Sequence, residues 1–223
     1  MPKGVFLEKL KQRCAKSDVD CSTTTAELFS RYFDLLERWN ARINLTSLRL
    51  SPLSDEAVDR LFVEPLAAIP FVPASSAIWF DLGSGGGSPA LPLRIAWNQG
   101  ALTMIEAKAR KAAFLREVVR TLDLSQVSVE TARFEDVAQV RHGEGQLVTV
   151  RAVRADATLS ATAADLLTSD GRLLLFGSGA IRPRFPEFDL LETVPLVRSQ
   201  TSFLSVYRRI VPRGTTAAPR YQR

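Results

Sequence analysis

Histidine is almost missing from this 223-residue chain, and His142 is the one example. It lies in Arg141-His142-Gly143-Glu144-Gly145, which reads as a solvent-facing turn. Imidazole general-base chemistry is therefore not expected. Cysteine is nearly as scarce, with only Cys14 and Cys21. One bridge between them or two free thiols would fit, and free thiols in a reducing compartment are the expectation. Without a Cys/His cluster, no zinc or other metal site is expected. No apolar run approaches the ~18 residues of a membrane span, so no membrane association is expected. Met1 to Cys14 carries Lys3, Glu8, Lys9 and Lys11 and no apolar segment. A secretory leader is not expected there, and the expected location is the cytoplasm.

The composition is that of an ordinary globular chain, 46% hydrophobic and 24% charged. Its length allows one substantial core. The net charge is +5, and its distribution is uneven. Residues 1–76 balance 10 basic against 10 acidic side chains, and residues 77–170 hold 10 against 11. Residues 171–223 hold 9 basic against 3 acidic, so the whole excess sits in the last quarter. A one-sided basic surface is the footprint of a polyanion binder. Against that, 23 of the 29 basic residues are Arg, a bias that base composition of a genome can produce without function.

The first 70 residues read as helices. Thr24-Thr25-Ala26-Glu27 has the form of a capping box, and Leu28, Tyr32, Leu35, Leu36 and Trp39 follow at helical spacing. Ser54 is placed to cap a third helix carrying Val58, Leu61 and Phe62, which Pro65 should kink or end. A connector, Phe71 to Ser76, then divides a helical N-terminal extension packed on the core, 1–76, from a second unit, 77–223.

In the second unit strands and helices alternate. Strands are expected at Ala77 to Leu82, Ala101 to Ile105, Val127 to Glu130, Leu147 to Val150 and Arg172 to Phe176. Helices are expected at Pro89 to Trp97, Lys108 to Leu122 and Leu159 to Leu167. Leu190 to Val197 and Phe203 to Ile210 form a closing antiparallel pair, and 212–223 a frayed end. Repeated β-α units demand an α/β fold, a doubly wound, mostly parallel sheet covered on both faces.

The turn after the first strand, Asp81-Leu82-Gly83-Ser84-Gly85-Gly86-Gly87-Ser88-Pro89, opens where such sheets bind ligands. Its glycines let backbone approach a bulky ligand, Ser88 is placed to cap the next helix, and Pro89 fits its first position. Glu106 ends the second strand, where a carboxylate can accept both hydroxyls of an adenosine ribose. Together these features point to a nucleoside-containing cofactor. Gly85, Gly87 and Ala90 satisfy a dinucleotide fingerprint. However, Pro89 and Pro92 delay the helix that a pyrophosphate needs, and Asp81 would repel it. S-adenosylmethionine (SAM) carries no phosphate, and its amino and sulfonium groups are cationic. The loop therefore suits SAM better.

From about residue 30 to about residue 180 the chain resembles the bacterial 16S rRNA (guanine-N7) methyltransferase family RsmG, or glucose-inhibited division protein B. The resemblance rests on Trp39-Asn40-Ala41-Arg42-Ile43-Asn44-Leu45-Thr46, on Phe80 to Pro89 and on Glu106 to Leu115. Ala132-Arg133-Phe134-Glu135-Asp136 and Val150-Arg151-Ala152-Val153 complete it. It implies a Rossmann-like SAM-dependent methyltransferase acting on small-subunit ribosomal RNA or an assembling ribosomal subunit. By matching motif, the SAM site would use Gly83, Gly85, Ser88, Glu106, Phe134, Glu135 and Arg151. Guanine N7 carries a free lone pair, so transfer needs no deprotonation, and no general base is assigned.

The chain departs from the family pattern in four places. The family usually has Gly-Phe-Pro-Gly where Gly87-Ser88-Pro89-Ala90 stands, and His and Asp where Leu61 and Glu64 stand. It has an acid before the fourth strand, at Gln146, and Lys-Gly after the fifth, at Gly177-Ser178. SAM binding is expected to survive these changes, and methylation of the family's guanine to be weak or redirected. A SAM enzyme with another acceptor, and a non-catalytic SAM- or nucleotide-binding protein, are the alternatives that remain open.

Overall fold

The computed structural model describes residues 3–74, 77–178, 183–197 and 201–210. Two helices open the chain, α1 (Lys3–Ser17) and α2 (Thr23–Ile43). The cap of α2 is Ser22, whose hydroxyl accepts from the amide of Thr25 at 3.1 Å. The expected box at Thr24 to Glu27 is thus displaced, because Ser22 already satisfies the first free amides. Helix α3 (Asp55–Val58) does start at Ser54, which accepts from the Ala57 amide. It does not stop at Pro65. The chain widens into a π turn, Asp59–Val63, and continues as α4 (Glu64–Ala67). In the wider turn the Glu64 amide reaches back to the Asp59 carbonyl, and Pro65, which has no amide, occupies a first-turn position of α4.

The sheet then builds through β1 (Ile78–Leu82), α5 (Ala90–Trp97), β2 (Ala101–Ile105), α6 (Ala109–Thr121) and β3 (Val127–Glu130). It continues with α7 (Phe134–Val140), β4 (Gly145–Arg151), α8 (Ala157–Leu166), β5 (Leu167–Ser178), β6 (Phe188–Pro195) and β7 (Ser202–Arg209). Helix α7 has no counterpart in the sequence reading, since its seven residues are too few to show a period. Strand order is β3-β2-β1-β4-β5-β7-β6. The first five strands are parallel, and β7 enters antiparallel between β5 and β6. The expected antiparallel pair is therefore present, with its second strand inside the sheet. The expected frayed end, 212–223, lies outside the described residues.

Alternation along each strand divides the core in two. Trp79, Leu102, Met104, Leu147, Leu174 and Phe176 face one way, and there Phe6, Phe29, Phe33 and Phe62 of the N-terminal helices join the same cluster. Phe80, Leu82, Val148, Val150, Leu173 and Leu175 face the other way, under α7 and α8. The order reverses between β1 and β4, which sends β2 and β4 to opposite sides of β1. A crevice therefore opens at the carboxyl end of β1, the switch point where such sheets bind ligands.

Candidate functional site

Strand β1 ends at Leu82, and the loop that follows folds back onto β2. The amides of Gly83 and Ser84 both donate to the Ile105 carbonyl, at 2.9 and 3.1 Å. Gly83 has φ +68°, and a Cβ there would come within 2.7 Å of Val153. At Gly87, with φ +93°, a Cβ would collide with Leu91. Both positions thus exclude side chains by backbone conformation and by space.

Glu106 holds this loop from the side. Its Oε2 accepts from the Gly85 amide at 2.9 Å, and its Oε1 from the Lys108 amide at 2.8 Å. Each carboxylate oxygen keeps a second lone pair for a ligand hydroxyl. Asp81 lies beneath, with Oδ1 accepting from the Thr149 hydroxyl at 2.6 Å. Its Oδ2 is buried with no partner among the described residues, and burial pushes the carboxyl up to about 6.

The N-terminal helices close the other side. Tyr32, fully buried in α2, donates its hydroxyl to the Gly86 carbonyl. Asn44 ends α2 with φ +49°, and the Asn40 side chain accepts from the amides of Leu45 and Thr46. That gives the Trp39-to-Thr46 segment its shape, while Trp39 packs against Phe114. The hydroxyl of Ser88 donates to the carbonyls of Arg60 and Leu61 in the π turn. Ser88 therefore does not cap α5, and Pro89 sits at the N-cap position instead of inside the helix. The Leu91 amide donates instead to the Gly87 carbonyl at 2.7 Å, and the serine ties the loop to the π turn.

These elements enclose a cavity of about 460 Å3. Gly83, Gly85, Ser88, Glu106 and Arg151 line it, as do Leu45 to Leu48, Arg60, Leu61, Lys108 and Lys111. Phe134 and Glu135 stand half-buried at the start of α7, outside the cavity wall. Arg151 is no surface arginine. It pairs with Glu64 at 2.7 Å, and its guanidinium lies over the Phe176 ring, 4.7 Å from the centroid. Burial lowers its pKa, and Glu64 opposes that shift. The sequence reading missed Tyr32, Glu64, Arg60 and the two lysines as site residues. The Asn-Leu-Thr segment was the signal that the helical part reaches the site.

The departures separate by position. Leu61 lines the cavity. Gln146 lies inside β4 and accepts from the Ile78 amide at 2.8 Å, at the far end of β1 from the loop. Gly177 is exposed at the end of β5, where a Cβ would meet only open space. His142 is also exposed, 3.8 Å from Asp165. Cys14 and Cys21 are free thiols. Among the described residues no helix is long and apolar enough to cross a membrane, and no acid/His/Cys group is arranged to hold a metal.

A family model described as rRNA small subunit methyltransferase G matches residues 25–181. A protein of that name from Roseiflexus sp. (strain RS-1) is 40% identical over 153 residues, 66% of this chain and 63% of its own length. One from Neisseria gonorrhoeae (strain NCCP11945) is 32% identical over 164 residues, 74% of this chain and 76% of its own. The match thus spans somewhat under two thirds of the first relative and about three quarters of the second. Among solved structures, a SAM-dependent methyltransferase from Aquifex aeolicus aligns with TM-score 0.56 at 12% identity. It covers 72% of this chain and 97% of that one, and at this identity the likeness is one of fold.

Proposed function

Since the chain belongs to the rRNA small subunit methyltransferase G family, we propose that it is a SAM-dependent methyltransferase acting on guanine N7 of small-subunit ribosomal RNA. The observation that carries the proposal is the glycine loop held by Glu106 at the mouth of the cavity. The residues present suit the cofactor. Glu106 supplies spare acceptor positions for ribose hydroxyls, and the backbone of Gly83 and Gly85 leaves room beside them. The unpartnered Oδ2 of Asp81 supplies negative charge under a group that carries positive charge. Ser88 shapes the wall through the π turn, and Arg151 closes it beside Glu64. Phe134 and Glu135, at the start of α7, are proposed for the adenine end. Residues 77–223 form the methyltransferase unit, and 1–76 the helical extension that completes its wall.

When bound, SAM supplies an electrophilic methyl group. The protein's own contribution is alignment. Its walls would hold the base with N7 facing the cofactor and would exclude water. The target must be unstacked, because side chains cannot read the deep groove of an RNA helix. Lys108 and Lys111 at the cavity provide positive charge for its phosphates. The partner is thus ribosomal RNA or an assembling subunit, and the working location the cytoplasm.

Leu61 on the cavity wall favours one second reading, a redirected acceptor. One experiment addresses both. The protein is incubated with labelled SAM and small-subunit rRNA, and the nucleosides are analysed by mass spectrometry. 7-Methylguanosine is the expected product. Label in another nucleoside would establish the second reading, and SAM binding without transfer would overturn both.

A further inference from the structure

A second cavity, of about 250 Å3, adjoins the first and shares Glu56 and Arg60 with it. Asp59, Glu64, Thr201 and Ser202 complete its lining. Its acids are not equivalent. Asp59 is committed to Arg13, whose Nε and Nη2 donate to its two oxygens. Glu56 is exposed. Glu64 is 1% exposed. Its Oε2 accepts from Arg151, and its Oε1 is buried with no partner among the described residues. A buried acceptor without a donor is costly, and such an atom calls for an explanation. A ligand that brings the donor is one.

We infer that this second cavity receives the Watson–Crick edge of the target guanine, and that Glu64 selects guanine there. The inference rests on the reading of the protein as an rRNA guanine methyltransferase. Guanine presents two donors on that edge, N1–H and the exocyclic amino group. A carboxylate is an acceptor only and matches both. Adenine presents a lone pair at N1, which a carboxylate repels. N7 lies on the neighbouring edge of the purine, the one it shows in a major groove, with O6 at the corner the two edges share. A base held at Glu64 therefore leaves N7 toward the first cavity. Two adjoining cavities thus correspond to two adjacent edges of one base. Enzymes that act on a flipped base read it by hydrogen bonds to this same edge. Arg60, which lines both cavities, supplies donors for O6 between the two edges. The Glu64–Arg151 pair joins the two sites directly, since Arg151 lines the first and Glu64 the second.

The test uses the full chain saturated with S-adenosylhomocysteine and titrated with GMP, IMP or AMP, followed by backbone amide NMR. GMP is expected to shift the amides of residues 56–64 and 202, and to bind at least about tenfold tighter than AMP, which loses both pairings. IMP, which lacks the exocyclic amino group, should fall between. In Glu64→Gln the preference for GMP over AMP should shrink to about twofold or less, while Glu64→Asp should retain it. Equal binding of GMP and AMP to the unaltered protein overturns the inference, as does a preference that Glu64→Gln leaves intact. Should Glu64→Gln fail to fold, the three-nucleotide series on the unaltered protein decides alone. Methyl transfer to rRNA guanine without any nucleotide preference would remove this inference and leave the proposed function standing. Cofactor binding with no transfer to RNA would remove the proposed function itself.

Discussion

Asp81 and Glu106 are the two acids at the glycine loop, and their environments assign them different work. Glu106 is bonded on both oxygens to loop amides, so its loss should loosen the loop as well as the ribose. Glu106→Ala should weaken SAM binding by about 1.5–3 kcal/mol, read by calorimetry, and NAD should not bind to either form. Asp81 is buried with one unpartnered oxygen, and its carboxyl is raised to about 6 from 3.8. The folded protein then keeps a proton that the unfolded chain has released. Stability from this group is therefore full below pH ~4, falls as pH rises toward ~6 and stays lower above it, by about 3 kcal/mol at most. Asp81→Asn carries no such cost. Its stability relative to the unaltered protein should rise between pH 4 and 7, measured by urea unfolding, while its affinity for SAM falls. A stability difference that stays flat across that range would contradict this account.

At the scale of elements, the end of α2 is the piece on which the cavity depends. Asn40 accepts from the amides of Leu45 and Thr46, and Leu45 to Leu48 form one wall. Asn40→Ala leaves both amides without that acceptor, and should cost about 1–2 kcal/mol in urea unfolding. It should weaken SAM binding about tenfold, because the wall loses its fixed shape. An unchanged affinity would show that this wall serves only the RNA side. The elements themselves were largely legible in the sequence. β2 and β3 coincide with their expected ranges, since short β-branched or apolar runs bounded by turn residues leave little choice. The π turn was not legible, because periodicity cannot distinguish a single wide turn from the helix around it. It nevertheless holds the carbonyls that fix Ser88 and delivers Glu64 to Arg151.

For the whole molecule, the charge excess of residues 171–223 looks different once folded. Arg172 donates to the Phe71 carbonyl, Arg208 pairs with Asp189, and Arg209 donates to the Leu167 carbonyl. Arg182, with Arg198, Arg213, Arg220 and Arg223, lies outside the described residues, and Arg184 is exposed. Several of these arginines therefore hold strands in place. The charge aimed at RNA is better sought at Arg60, Lys108 and Lys111 by the cavity. Affinity for rRNA should fall steeply with salt, and Lys111→Ala should reduce the slope of log K against log salt by about 1. Arg184→Ala should reduce it no more than that. An unchanged slope in Lys111→Ala would place the RNA path elsewhere.

What the sequence determined by itself is local or periodic. The alternating strands and helices set the fold class, and the glycines after β1, with Glu106 just past β2, marked where a cofactor is expected. Each of these depends on a few neighbouring residues and on the rule that ligands meet a doubly wound sheet at its switch point. What only the tertiary structure decided involves partners far apart in the chain. Glu64 meets Arg151 across 87 residues, Tyr32 meets Gly86 across 54, and Ser88 meets Leu61 across 27. No periodicity encodes such pairs. They follow from packing the N-terminal helices onto one face of the sheet, where a shared apolar core fixes the distances first. The polar groups left at its edge then find one another.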